Sequence, residues 1–85
     1  MTTEHIITIT VETTRGTKTL TVEKTTKVSE VIAEVVALCG FNPGDRFDLF
    51  LKADLQNPLQ PERPLVSYHI ENGAILVLSQ VGSGV

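Results

Sequence analysis

Apolar and polar positions alternate through Ile6-Ile7-Thr8-Ile9-Thr10-Val11-Glu12, with Ile7, Ile9 and Val11 on one face and Thr8, Thr10 and Glu12 on the other. A period of two in β-branched residues predicts a half-buried strand. Lys18-Thr19-Leu20-Thr21-Val22-Glu23-Lys24 alternates again, Leu20 and Val22 inward, after a turn at Arg15-Gly16-Thr17 whose glycine can take a positive φ, so the first two strands form a hairpin. The period then lengthens. Val28, Val31, Ile32, Val35 and Leu38 recur at three and four, one stripe of a helix that a Thr25 or Thr26 hydroxyl can cap and that Gly40 ends. Its β-branched stripe forms helix poorly alone, so packing against a sheet must hold it.

After a turn at Asn42-Pro43-Gly44, Phe47, Leu49 and Leu51 share one face of a third strand and Phe50 is left on the other. Ala53 to Ser67 holds the three remaining prolines and no sustained period. It reads as an ordered surface connection with at most a short edge strand or a turn of 3₁₀ helix. Ala74-Ile75-Leu76-Val77-Leu78 is the most apolar run, as expected of a central strand. The pattern predicts an α+β domain over residues 1–80, a mixed sheet of four to five strands on one helix. A small, glycine-rich tail over 81–85 is expected to be flexible.

The 85 residues suffice for one domain, near the lower limit for a core without disulfides or metal. Cys39 is the one cysteine, so no disulfide framework or metal spacing exists, and it reads as a small buried hydrophobe. His5 and His69 have no second ligand at metal spacing. A net charge of −3 with seven scattered Lys and Arg gives no basic stripe, which argues against nucleic acid as a partner. No apolar run approaches a membrane span, and a cytoplasmic location is expected. No catalytic triad, Cys-His pair, phosphate loop or isolated carboxylate pair appears at working spacing, so no enzymatic activity and no cofactor are expected.

Arg63-Pro64-Leu65-Val66-Ser67-Tyr68-His69-Ile70 followed by Glu71-Asn72-Gly73 and Ala74-Ile75-Leu76-Val77-Leu78 resembles the ubiquitin run of Arg, x, Leu, two residues, Tyr-x-Ile, a turn and the last strand, without a gap. Leu20 to Glu23, Val28, Val31, Val35 and Gly40 extend the likeness across nearly the whole chain. The resemblance implies the β-grasp fold of ubiquitin-like proteins. The chain also resembles the YukD-like proteins, small bacterial accessory factors of type VII secretion, which carry the same Leu, Tyr-x-Ile, Gly and Ile-Leu pattern.

Two functions follow from these likenesses. In the first the chain is a bacterial-type ubiquitin-like modifier, served by an activating enzyme and a processing peptidase and joined to target proteins through Gly84. Gly82-Ser83-Gly84 is small enough to enter an activation channel, but Val85 would crowd the reacting carbonyl and has to be removed first. In the second it is a YukD-like module that docks non-covalently on a secretion or signalling assembly. A sulfur carrier is a more distant reading, because that chemistry needs a free terminal Gly-Gly. If Leu76 and Leu78 face the helix, Ile75 and Val77 face outward near Phe50 as an apolar docking patch. The reverse parity, or a crossing segment folded over them, removes it. Tyr68 reads as a structural residue, its ring closing the crossing segment and its hydroxyl bonded to loop backbone.

Overall fold

The computed structural model describes residues 6–42 and 44–81. Strands β1 (Ile6–Thr13) and β2 (Gly16–Glu23) form an antiparallel hairpin. Helix α1 (Val28–Cys39) follows, then β3 (Phe47–Leu51), a 3₁₀ turn (Leu65–Tyr68) and β4 (Ile75–Gln80). The sheet order is β2-β1-β4-β3, with β4 parallel to β1 and antiparallel to β3, so the apolar run near the C-terminus does fill a central position. This is the β-grasp arrangement, built with four strands among the described residues.

One face of the sheet supplies the core. Ile7, Ile9, Val11, Leu20, Leu49, Leu76 and Leu78 are buried there against Val28, Val31, Val35 and Val36 of α1. Every buried residue among those described is apolar. Phe47 and Leu51 share the inward face as expected but are only partly buried, as sheet-edge positions allow.

Two expectations for the helix are corrected. Leu38 is 53% exposed, and Val36 takes the buried place assigned to it. On a period of 3.6, Val36 and Leu38 lie on opposite flanks of the stripe formed by Val28, Val31 and Val35, and the Val36 flank is the one that meets Phe41 and Phe47. Threonine does not cap the helix start either. The N-cap is Lys27 with no side-chain bond, and the first free N–H groups, on Val28 and Ser29, donate to the carbonyls of Arg63 and Pro61 at 3.0 Å. The crossing segment thus does the work of a capping side chain.

At the other end Gly40 stands at φ +74, its N–H on the Ala37 carbonyl and the Phe41 N–H on that of Val36. A glycine tolerates this left-handed stop without the Cβ penalty. Arg15, in the β1–β2 turn, completes it by donating to the Cys39 and Gly40 carbonyls at 3.2 and 3.4 Å, while its guanidinium lies 5.0 Å from the Phe41 ring centroid. The helix has no basic residue of its own in its last turn, so this cation answers the negative end of the helix dipole from another element. Cys39 beside it is partly buried against the core, its sulfur 3.6 Å from the Thr13 hydroxyl.

The crossing segment is aperiodic yet anchored. Leu59 and Leu65 are buried, and the Leu59 N–H donates to the Leu49 carbonyl at 2.8 Å along the outer edge of β3. The Tyr68 hydroxyl accepts from the Gln60 N–H at 2.8 Å, the loop-closing role read from the sequence.

Candidate partner-binding face

Alternation along four paired strands gives the sheet a second face, turned away from α1. The strand parity is the one the docking patch requires: Leu76 and Leu78 point to the helix, and Ile75 and Val77 point away. Phe50 is the direct cross-strand partner of Val77, and Val77 is in turn paired with Glu12 of β1. One row of the outer face therefore reads Phe50, Val77, Glu12. The next places Thr10 beside Ile75, whose carbonyl accepts from the Lys52 N–H at 3.0 Å.

The patch is smaller than three exposed hydrophobes. Ile75 is 42% exposed, whereas Phe50 and Val77 are half-buried. A salt bridge also divides it. The Lys52 ammonium lies 2.9 and 3.0 Å from the two Glu12 carboxylate oxygens, and because the pair joins the β3 side to β1, it spans β4 between Ile75 and Val77. Both partners are substantially solvated, so the bridge adds little stability, but it sets two charges beside the apolar pair. The crossing segment is anchored at the edge and core side of β3 through Leu59, and Ile75 stays exposed. The result is a Phe50–Val77 centre bordered by an ion pair and by Ile75, an arrangement suited to an apolar anchor with polar contacts around it.

Gly82, Ser83, Gly84 and Val85 lie outside the described residues. The last described residue, Val81, donates its N–H to the Arg46 carbonyl at 2.8 Å, at the end of the sheet where β3 begins. Among the described residues no group of three or more His, Cys, Asp or Glu could hold a metal ion. No helix there is long and apolar enough to cross a membrane.

No protein-family model and no curated protein matches the chain. Solved structures do. A designed protein based on ubiquitin superimposes with a TM-score of 0.77 at 25% identity, over 94% of each chain. The ubiquitin-like domain of an Arabidopsis thaliana protein, solved by solution NMR, superimposes with a TM-score of 0.77 at 20% identity, covering 98% of this chain and 85% of that one. The fold is ubiquitin-like. Within that fold, Phe50, Val77 and Ile75 lie on the outer face, the parity the sequence pattern offered as one of two. Sequence reasoning missed the Glu12–Lys52 pair, because 40 residues separate the partners and only the strand order brings them together.

Proposed function

We propose that this ubiquitin-like chain is a non-catalytic recognition module that partner proteins grip on the outer face of its sheet. The observation that carries the reading is the pairing of Phe50 with Val77 on the face turned away from the helix, where neither contributes to the buried core. An aliphatic or aromatic anchor on the partner would sit on this pair, and the Glu12–Lys52 ends would accept and donate hydrogen bonds around it. Phe50→Ala and Val77→Ala should each weaken binding of a purified partner by about 1 kcal/mol or more, with thermal stability nearly kept. Unchanged affinity in both variants rules the face out. The YukD-like sequence pattern favours a secretion or signalling assembly as the setting for such docking.

A second reading is covalent, and the composition of Gly82-Ser83-Gly84 favours it. After hydrolytic removal of Val85, the Gly84 carboxylate would attack the α-phosphate of ATP in an activating enzyme and release pyrophosphate. A target amine or hydroxyl would then displace AMP from the acyl-adenylate, leaving the chain joined to its target. A chain ending at Gly84 should form heavier covalent species with the cognate enzymes, and a bulky residue at 84 should abolish them while leaving the fold intact. Intact-mass measurement decides this. Persistent retention of Val85 with no heavier species, even when those enzymes are active, removes the covalent reading and leaves the docking one.

A further inference from the structure

The exposed turn before β4 holds the one asparagine of the chain that is followed by a backbone N–H. Of three asparagines, Asn42 and Asn57 precede proline, whereas Asn72 precedes Gly73. A backbone nitrogen attacks the carboxamide of the residue before it only after losing its proton, which proline does not have, and glycine adds no side chain in the way. In the folded chain both reacting groups are held by a single residue of β1. The Thr8 N–H donates to Asn72 Oδ1 at 2.8 Å, and the Gly73 N–H donates to the Thr8 carbonyl at 2.8 Å.

The turn itself is a third restraint. The Ala74 N–H closes it on the Glu71 carbonyl at 3.0 Å, and Gly73 stands at φ +91. His69 is the one non-glycine at positive φ among the described residues, so Asn72 lies on the negative side and the turn is type II. Such a turn puts ψ of its first central residue near about +120°. In an L-residue that ψ holds the Gly73 nitrogen away from the Asn72 Cβ, whereas closing a five-membered ring needs the two eclipsed.

We propose that Asn72-Gly73 is a deamidation site gated by Thr8, open to reaction only when the turn leaves β1. In the reaction the Gly73 nitrogen loses its proton to hydroxide and bonds to the Asn72 Cγ. Nδ2 takes a proton from water and leaves as ammonia, which gives a cyclic imide. Water then opens the imide in one of two places. Cleavage of the new Cγ–N bond leaves aspartate at 72, and cleavage of the original peptide bond leaves isoaspartate, whose main chain runs through Cβ and is longer by one atom.

The two products differ at Thr8. A carboxylate in the ordinary linkage still accepts the Thr8 N–H, so the aspartate form keeps the clamp. The longer isoaspartate main chain displaces Gly73 from the Thr8 carbonyl and draws the Ala74 carbonyl from the Thr10 N–H, a bond of 2.9 Å at the first rung between β1 and β4. That rung carries Ile75 onto the outer face, so the modification loosens the sheet at the Ile75 end of the docking patch.

The full chain is kept at mildly alkaline pH, folded and in guanidinium chloride, and followed by intact mass with peptide mapping. The unfolded chain should gain about 1 Da at Asn72 as an amide becomes a carboxylate. The folded chain should gain it more slowly by about tenfold or more, because reaction waits on local opening. Equal rates in the two states overturn the gate. An unfolded chain that gains no mass, or an unfolded Asn72→Gln chain that gains it as fast, overturns the site. The isoaspartate form, separated by chromatography, should melt below the native chain and lose hydrogen-exchange protection at the Thr10 amide, whereas Asn72→Asp should melt with the native chain. An isoaspartate form that melts with the native chain and keeps that protection overturns the loosening of the sheet.

Discussion

Leu76 lies on the central strand, paired with Val11 on one side and Leu51 on the other, with no exposed surface. Leu76→Ala should cost on the order of 2 to 5 kcal/mol by chemical denaturation, since the neighbouring strands are fixed on both sides and cannot collapse into the cavity. A loss below about 0.5 kcal/mol, the range of surface substitutions, would contradict its burial. Such residues could be identified along the chain because alternation makes burial a question of parity. Tyr68 was readable for a different reason, since a ring with a polar tip in an aperiodic stretch needs one apolar and one hydrogen-bonding neighbour. Arg15 carried no comparable signal. Its task is defined by the carbonyls of Cys39 and Gly40, and nothing local to the hairpin turn announces that the end of a helix lies beside it.

The ends of α1 show where element-level reading succeeds and where it stops. Gly40 was identifiable as the stop because the stop is a backbone requirement that glycine meets by itself. A Cβ at this position would approach nothing closer than Arg15 Nη1 at 3.7 Å, so Gly40→Ala is a test of the left-handed φ alone. It should lower stability by about 1 to 2 kcal/mol, seen as a lower denaturation midpoint. Gly44→Ala, where φ is not in that region and the nearest atom is the Asn42 carboxamide oxygen at 3.5 Å, should change stability by less than about 0.5 kcal/mol. Equal effects of the two would show that Gly40 is not serving as a left-handed stop. The start of the helix was misread because its cap is not a side chain. The carbonyls of Pro61 and Arg63 arrive from a segment more than thirty residues away, and Leu59 and Leu65 anchor that segment from positions that follow no period.

At the scale of the molecule, the ends of the described chain meet in the middle of the sheet. β1 and β4 are parallel neighbours, flanked by β2 and β3 respectively, although Thr10 and its partner Ile75 lie 65 residues apart. A parallel pair cannot close through a hairpin, so this contact forms only when the helix and the crossing segment have brought β4 back across the sheet. Once formed, it is covered by α1 on one face and enclosed by a strand on each edge, so no local fluctuation exposes it. Native-state hydrogen exchange should therefore find the amides of Thr10, Val11 and Leu76 exchanging only through global unfolding, with an opening free energy equal to that from denaturation. Amides on the free edge of β2, and those between Lys52 and Pro64 other than Leu59, should exchange at much lower free energies. The Leu59 amide, bonded to Leu49, should stand above its neighbours, because it opens only when the segment leaves the edge of β3. If Leu76 instead exchanges well below the global value while Val11 does not, β3 and β4 separate from the hairpin as a unit. The outer face would then not be a rigid platform, since its Phe50–Val77 centre would move with β3 and β4 while Glu12 stayed behind on β1.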